Sequence, residues 1–337
     1  MRGTFRVGRM LILVLVGLTL ILVLGIAGCM KRAPESSSVS VANVQTNSHQ
    51  AGERLVKTVN GVEFAFRWCP AGTFTMGSPA NEENRDSVET LHEVTLSKGF
   101  WMLETEVTQE MWQNVMGSSL ETQAKKMLED DTKYGFGVGD GVKLRDMYGF
   151  ERDEDPKNTL RGAGSAFPMY YVSWWDCEDF CRKLSTQIGL KLALPTEAQW
   201  EYACRAGSTG PYAGDLDAMG WYGDITGTPL VFDTERYEVQ PDGKHTGTVH
   251  PVRQKQPNAW GLYDMHGNVW EWCLDWYDDY PSGCVTDPRG PARGVCRIHR
   301  GGCWNSNAGQ CRSACRAGGP AGGCGYGVGF RPIGFGE

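Results

Sequence analysis

Residues 257–273 read Pro-Asn-Ala-Trp-Gly-Leu-Tyr-Asp-Met-His-Gly-Asn-Val-Trp-Glu-Trp-Cys, and this stretch decides which kind of fold the chain can adopt. Near its end, Glu271 stands between Trp270 and Trp272 in the sequence. Indole rings carry a large apolar surface, so this pattern predicts a strand or turn whose rings are buried. The two glycines within the stretch indicate loops around that element rather than a long helix.

The same character extends over the whole chain, which has 12 tryptophans and 44 glycines in 337 residues. Together these counts indicate a loop-rich domain whose core rests on aromatic side chains, and they disfavour a helical bundle. The formal net charge is -7, so the chain has no broad positive field. We therefore expect no nucleic-acid partner, because such partners are held mainly through their phosphates.

Local patterns predict both strands and helices. Alternating apolar and polar residues predict strands at 62–66, 92–96 and 100–103. Helices are expected to begin after three N-cap residues, Thr108, Ser173 and Thr196. Gln199 stands three positions beyond Thr196, as in a capping box. The fold class is therefore α+β with a high loop content.

Residues 1–28 have the organisation of a lipoprotein signal peptide. A basic start is followed by an apolar run at 11–24, which is shorter than the roughly 20 residues that a membrane-spanning helix needs. The run ends in Ile-Ala-Gly-Cys, which resembles a lipobox, so Cys29 is expected to carry lipid. An uncleaved anchor helix is the alternative.

Residues 29–56 are rich in Ser, Asn and Gln and poor in large apolar side chains, so we expect a flexible tether. The chain is thus expected to be exported, anchored to the membrane through Cys29, and displayed at the outer membrane or cell surface. The folded domain is predicted at 57–337. Within it, the charged stretch 118–166 is interpreted as a surface insertion that is partly ordered at most.

Eleven cysteines remain besides Cys29, and an odd number cannot all pair, although export would permit disulfides. Cys177 and Cys181 lie one helical turn apart, and Cys204 and Cys273 lie beside aromatic residues. We interpret these four as small buried hydrophobic residues. No Cys-x-x-Cys pair with matching histidine spacing is present, which disfavours a structural zinc site.

Six groups of residues, in this order, resemble the formylglycine-generating-enzyme (sulfatase-modifying factor) family. They are Gly-Thr-Phe-Thr-Met-Gly-Ser at 72–78, Glu-Val-Thr-Gln at 106–109, Val-Ser-Trp-Trp-Asp at 172–176, Leu-Pro-Thr-Glu-Ala-Gln-Trp-Glu-Tyr-Ala at 194–203, the stretch 257–273, and Arg-Gly-Gly at 300–302 with a closing Gly-Phe-Arg at 329–331. Each is weak alone, but together they span about 57–332. The resemblance implies the family's elaborated C-type-lectin-like fold.

The resemblance also implies a structural calcium ion, held by backbone carbonyls and an acidic side chain. Its expected ligands are Asn268 and Glu271, with the backbone oxygens of Gly267 and Val269. Alternatively, Glu271 pairs with a buried arginine or with backbone amides. A second calcium site of the family would fall near 215–221, where the asparagine that it needs is not evident.

Enzymes of this family oxidise a substrate cysteine through a copper ion that two of their own cysteines hold, five residues apart. Both sulfurs matter, because copper(I) prefers thiolate ligands. Counted from the Gly-Gly motif, the two positions here are Ser306 and Cys311. Cys303 and Cys315 have different spacings from Cys311. We therefore expect no copper and no enzymatic activity.

Residues 305–329 contain only Asn, Ser, Ala, Gly, Gln, Cys, Arg, Pro, Tyr and Val. Asparagine codons mutated at their adenines yield nearly this set, with glutamine as the exception. The composition resembles the variable region of target proteins of diversity-generating retroelements, among them a variable surface lipoprotein of a treponeme. Those proteins use a C-type-lectin fold as a display scaffold and end in a similar Gly-Phe-Arg.

This second resemblance divides residues 303–329 into a fixed scaffold and a candidate binding face. The scaffold would comprise Trp304, Arg312, Ser313, Ala314, Arg316 and residues 329–331. By elimination, the candidate ligand-binding residues are Cys303, Ser306, Gly309, Cys315, Ala317, Gly318, Gly322, Gly325, Tyr326 and Gly327. A glycine-rich loop without a ligand is the alternative. Side chains this small would leave a shallow face.

The sequence thus favours a surface-displayed binding lipoprotein on a rigid C-type-lectin-like scaffold. Its partner would be an unknown protein or surface ligand, chosen by the diversified face. Two alternatives stay open: an oxidoreductase of the formylglycine-generating type, and a structural envelope lipoprotein without a diversified ligand.

Overall fold

The computed structural model describes residues 49–135, 141–223 and 247–336. The predicted signal peptide, the lipidation site Cys29 and most of the predicted tether lie outside the described residues. Within the described ranges, no helix combines the length and the hydrophobicity needed to cross a bilayer.

The described residues form an α+β fold of short elements. The strands are β1 (Arg54–Val59), β2 (Val62–Cys69), β3 (Gly72–Met76), β4 (His92–Leu96), β5 (Phe100–Leu103), β6 (Lys191–Ala193), β7 (Trp270–Trp276), β8 (Val285–Thr286), β9 (Cys296–Arg300), β10 (Arg316–Pro320), β11 (Val328–Gly329) and β12 (Ile333–Phe335). The α-helices are α1 (Gln109–Met116), α2 (Leu120–Glu129), α3 (Leu144–Met147), α4 (Trp174–Ile188), α5 (Glu197–Arg205) and α6 (Leu216–Met219), with 3-10 turns at Pro156–Thr159 and Ala308–Cys311.

The strands form three sheets among the described residues. The largest has the order β1-β2-β5-β12-β6, so the last strand of the chain pairs between β5 and β6. A four-stranded sheet has the order β10-β9-β7-β11, and a third sheet has the order β3-β4-β8. The segment 303–329 follows β9 and forms β10 and β11 of the four-stranded sheet. The chain then continues into β12 of the five-stranded sheet. This topology fixes both of its ends.

The predicted N-caps are confirmed. Thr108 accepts a hydrogen bond from the backbone N–H of Met111, at the start of α1. Ser173 and Thr196 each form a full capping box at the starts of α4 and α5. Such caps satisfy backbone donors that a helix start would otherwise leave unpaired. Along the chain, the short strand β6 lies between α4 and α5.

The core is aromatic, as the composition predicted. Trp270 and Trp272 are both buried in β7, and Glu271 between them is also buried. Trp112 stacks on Phe180 with the ring centroids 5.8 Å apart, which joins α1 to α4. The four cysteines interpreted as small hydrophobic residues are all buried free thiols: Cys177, Cys181, Cys204 and Cys273.

The structure differs from two predictions, the end of the tether and the order of the insertion. The first strand begins at Arg54, inside the predicted tether 29–56, because its backbone pairs with that of β2 over six register positions. The insertion 118–166 is also more than a partly ordered surface loop. It forms α2 and α3, and Leu120, Met127 and Leu144 join the main core. The high charge of this stretch concealed a helical stripe of apolar residues.

Candidate functional site

A tight turn follows β9 and starts the candidate segment. Gly301 and Gly302 have φ values of +97° and +76°, in the left-handed region that favours glycine. A Cβ atom on Gly302 would lie 2.5 Å from the Sγ atom of Cys311. Glycine is therefore required at 302, and the turn covers the Cys311 thiol.

Ser306 and Cys311, the two positions that the resemblance assigned to metal-binding cysteines, hold a hydroxyl and a thiol. The Ser306 Oγ accepts a hydrogen bond from the Cys303 backbone N–H at 3.1 Å and lies 3.4 Å from the Cys303 Sγ. Desolvation raises the pKa of the Cys311 thiol well above its ordinary value. It also raises the pKa of Cys303 to about 11, despite the hydrogen bond from Ser306. Both thiols are therefore protonated near neutral pH in this structure.

Most residues of the candidate binding face have little solvent access in this structure. Six of the ten predicted residues are buried: Cys303, Ser306, Gly309, Gly325, Tyr326 and Gly327. The other four are partly buried: Cys315, Ala317, Gly318 and Gly322. None of the ten is classed as exposed. The cause lies in residues from elsewhere in the chain that pack against the segment.

The insertion covers one part of the segment, residues 317–327, which we call the glycine half. The Tyr134 hydroxyl donates a hydrogen bond to the Gly322 carbonyl at 2.9 Å. Tyr148 packs edge-on against Tyr326 with ring centroids 4.7 Å apart. Both tyrosines come from the predicted insertion. The insertion thus contributes to this site rather than standing apart from it.

The other part of the segment, residues 303–316, is called here the charged half. The Tyr212 hydroxyl donates to the Ala308 carbonyl at 2.8 Å, and a Cβ atom on Gly309 would lie 2.7 Å from the Asn84 Cβ. Asn307 is the exposed residue of this half. The charged half is therefore also packed against neighbouring loops over most of its length.

Buried arginines tie the charged half to the scaffold, as the scaffold assignment of Arg312 and Arg316 predicted. Arg312 donates to both oxygens of Glu89 at 2.7 Å and to Glu82 at 2.7 Å. Burial raises the pKa of Glu89, but the hydrogen bonds from Arg312 and Ser78 outweigh it and hold that pKa below its ordinary value. Arg316 binds Glu197 through two hydrogen bonds of 2.7 Å. These two-pronged contacts fix the backbone that follows the 3-10 turn, at its end and at the start of β10.

The predicted calcium ligand Glu271 has other partners. Its two oxygens accept hydrogen bonds from Arg331 at 2.6 and 2.7 Å, and Trp200 Nε1 donates at 2.7 Å. Arg331 is fully buried, and a buried guanidinium requires a counter-charge. The alternative that the sequence left open, a pair with a buried arginine, is what the structure shows. Glu271 is thus not presented to a cation here.

The other predicted calcium ligands shape a tight turn. The Asn268 side chain exchanges hydrogen bonds with the backbone of His250, accepting at 2.9 Å and donating at 3.3 Å. A Cβ atom on Gly267 would lie 2.0 Å from the Trp221 carbonyl oxygen, so only glycine fits. Val269, the last of the four, is a core residue that is fully buried. The Asn268 side chain is therefore also committed to protein partners.

Sequence reasoning missed two buried carboxyl groups beside this turn. Both oxygens of Glu106, and Oδ1 of Asp264, are buried without a hydrogen-bond partner in the structure. Desolvation raises the pKa of Glu106 well above its ordinary value, and the neighbouring Asp264 raises it further. Desolvation likewise raises the pKa of Asp264 to about 6. Both residues lie in the family motifs, which was the available signal, but only the fold brings them together.

Comparison with known proteins follows the same motifs. Residues 56–334 match the sulfatase-modifying factor enzyme 1-like domain. The chain belongs to this family. A formylglycine-generating enzyme from Streptomyces coelicolor is 34% identical over 182 residues, which cover 50% of this chain and 52% of that enzyme. One from Mus musculus is 31% identical over 271 residues, which cover 74% of this chain and 68% of the mouse enzyme.

A solved structure supports the second resemblance. Treponema denticola variable protein 1 superposes with a TM-score of 0.60 at 26% sequence identity, covering 83% of this chain and 98% of that protein. The fold class predicted from the motifs, a loop-rich C-type-lectin-like fold, is thereby confirmed. This family member is similar both to enzymes and to a variable protein, while the matched region spans about half of the Streptomyces enzyme.

Proposed function

We propose that this family member is a lipid-anchored, surface-displayed binding protein whose segment 303–329 is a diversified ligand face, and that it is not an oxidase. The observation that carries the proposal is the site around Ser306. A hydroxyl stands at one of the two positions where the enzymes need a thiolate, and it hydrogen-bonds to Cys303. The neighbouring Cys311 thiol is buried, and it would supply only one of the two sulfur ligands that copper(I) prefers.

The structural likeness to a treponemal variable protein supports the binding half of the proposal. A diversified face requires a scaffold that keeps its shape when surface side chains change. The buried pairs of Arg312 with Glu89 and of Arg316 with Glu197 supply such a scaffold. The partly exposed positions that follow Arg316 in β10, Ala317 and Gly318, are where changes would reach a ligand.

Copper binding tests the proposal against the enzyme alternative. Titration of the full-length protein with copper(I) is expected to show only weak binding, and a cysteine-containing peptide is expected to stay unoxidised. The variant Ser306→Cys, which restores the missing sulfur, is the matched control and should bind copper(I) more tightly. Tight copper binding by the natural chain together with oxidation of the peptide would overturn the proposal.

Sequencing tests the diversification. Codons for residues 303–329, read from many independent isolates, are expected to differ mainly at adenines of a second, template copy of the segment. The codons for residues 257–273 serve as the internal control and should not vary in this way. Equal variation in the two regions would favour the structural-lipoprotein alternative.

Detergent partitioning tests the anchor. The natural protein is expected in the detergent phase of a cloud-point extraction, while Cys29→Ser is expected in the aqueous phase. Cys284→Ser, which changes an exposed cysteine of the folded domain, is the control and should behave as the natural protein does. If Cys29→Ser also enters the detergent phase, the result would favour the uncleaved anchor helix instead.

We also propose a structural calcium site at Glu106 and Asp264, completed by the backbone oxygens of Gly267 and Val269. Its support is the set of buried carboxylate oxygens without donors, which suit a hard cation. Among the described residues, no group of three or more acidic, histidine or cysteine side chains could hold a metal, so backbone oxygens are required. When bound, calcium would add to the positive charge that Arg331 already places near these two carboxyl groups.

Thermal unfolding in calcium and in EDTA tests this site. Calcium is expected to raise the Tm of the natural protein, because a ligand that binds the folded state stabilises it. Glu106→Gln should abolish the increase, while Glu63→Gln, at an exposed position, should retain it. An equal increase in both variants would place calcium elsewhere or nowhere specific.

A further inference from the structure

The glycine half is fixed to the domain through its backbone. The Gly325 carbonyl accepts a hydrogen bond from the Tyr171 N–H at 3.1 Å, and the Ala321 carbonyl accepts one from the Trp174 N–H at 3.0 Å. Tyr171 and Trp174 are themselves buried residues of the main core. The backbone at 321–325 therefore has little freedom to move away from a neighbour that presses on it.

Two tyrosines of the insertion occupy the space that side chains on this backbone would need. A Cβ atom on Gly325 would lie 2.8 Å from the Tyr148 hydroxyl, closer than real Cβ contacts allow. A Cβ atom on Gly322 would lie 3.3 Å from both the hydroxyl and the ring of Tyr134. Neither glycine has a positive φ, so the backbone conformation itself would accept other residues. Space therefore disfavours a side chain here, strongly at 325 and mildly at 322.

The insertion side of this contact is also well anchored. Tyr148 follows α3 directly, and Leu144 on that helix is buried in the main core. Arg145 donates to the carbonyls of Leu128 and Asp130 at 2.9 and 2.8 Å, which ties α3 to the end of α2. A displacement of Tyr148 would therefore be transmitted to α3 and loosen these bonds.

We infer that the insertion selects which diversified positions can face a ligand. Glycine at 322 and 325 allows Tyr134 and Tyr148 to close over the glycine half, and a side chain at 325 displaces Tyr148 and uncovers that half. The present chain is thus the covered form, in which ligand contacts are confined to the partly exposed positions. This inference rests on the proposed function, because it concerns the same binding face.

A double-mutant cycle tests the contact. In the full-length protein, Gly325→Ala is expected to speed tryptic cleavage after Arg145 roughly tenfold, because overpacking raises the population of the open form. Hydrogen exchange of residues 141–150 should accelerate in parallel. Tyr148→Phe removes the atom that the new methyl group meets, so Gly325→Ala in that background should accelerate cleavage less than twofold. Gly210→Ala, where the nearest atom would lie 3.6 Å away, is the matched control.

Equal cleavage rates in Gly325→Ala and Gly210→Ala, or a Gly325→Ala effect that Tyr148→Phe leaves unchanged, would overturn the inference. If Gly325→Ala does not fold, Tyr148→Ala tests the same contact by removing the tyrosine side chain instead. It should accelerate exchange at 141–150 and at 320–327 while leaving 197–205 unchanged, and uniform acceleration would count against the inference.

The outcomes separate this inference from the proposed function. None of these readouts requires a ligand or a diversity system. A cycle with the expected coupling, beside sequencing that shows no adenine-directed variation, would refute the diversified face and leave the steric contact intact. Adenine-directed variation without the expected coupling would support the diversified face. It would also show that the insertion does not control which positions face a ligand.

Discussion

The two halves of the candidate segment are held by different forces. Charge pairs fix the charged half: Arg312 and Arg316 reach buried carboxylates of distant loops and helices. The glycine half makes no such pair with its own side chains, and it is held by backbone hydrogen bonds and by two tyrosines of the insertion. The charged half therefore depends on the charges of particular arginines, while the glycine half depends on the small size of its residues. The partly exposed positions of the glycine half, such as Ala317 and Gly318, are therefore freer to change than Arg312 and Arg316.

Breaking a charge pair should have the largest effect. Arg312→Met leaves the fully buried Glu89 without its counter-charge, and we expect a loss of about 3–5 kcal/mol in the free energy of unfolding. Arg182→Met removes an arginine of the exposed pair with Asp179 and should cost about 0–1 kcal/mol. Urea unfolding measures both. Equal losses would show that burial does not distinguish the charged half.

The turn that opens the charged half should rank second. Gly302→Ala forces an alanine into a left-handed conformation and against the Cys311 Sγ, so we expect a loss of about 3 kcal/mol. Adding Cys311→Ala should recover the steric part and leave the backbone cost of about 1–2 kcal/mol. Urea unfolding of the single and double variants checks this, and a double variant no more stable than Gly302→Ala would contradict the steric account.

A pH effect should follow at the junction of the two halves. Asp275 accepts from the backbone N–H of Glu197, the partner of Arg316, and desolvation raises the pKa of Asp275 to about 7. A raised carboxyl pKa favours the protonated folded state, so stability is present at low pH and is lost as pH rises through 7. Between pH 5.5 and 8 this carboxyl should remove about 2 kcal/mol.

Asp275→Asn, which stays neutral, should be less sensitive to pH than the natural protein by that amount. The measurement is the difference between the two proteins in urea unfolding at each pH, since Asp264 and Glu106 also titrate in the same direction. If the free energy of unfolding of the variant depends on pH as that of the natural protein does, Asp275 does not cause the effect.

The smallest effect should belong to the glycine half. Ala317 is partly exposed in β10, and threonine suits a strand, so Ala317→Thr should change stability by no more than about 0.5 kcal/mol. Thermal unfolding is sufficient to detect a larger change. A loss of stability as large as that of Gly302→Ala would show that the two halves do not differ in their tolerance of substitutions.

Much of the fold was predictable because its signals are local. The caps at Thr108, Ser173 and Thr196 depend on residues within one turn of the helix, and the strands at 92–96 and 100–103 depend on alternation over a few residues. The insertion was misjudged for the same reason. Its charges dominate any short window, whereas the burial of Leu120 and Leu144 depends on what packs against them.

The sequence by itself determined the family, the α+β class and the helix starts. Tertiary structure alone decided that Glu271 pairs with Arg331, that Glu106 and Asp264 meet as buried carboxyl groups, and that tyrosines of the insertion cover the glycine half. Motifs and caps follow from residue type and short spacing. Counter-charges and covered surfaces involve residues far apart in the sequence: Arg331 and Glu271 are 60 positions apart, and Arg312 and Glu89 are 223 apart. Only the folded chain brings such residues into contact.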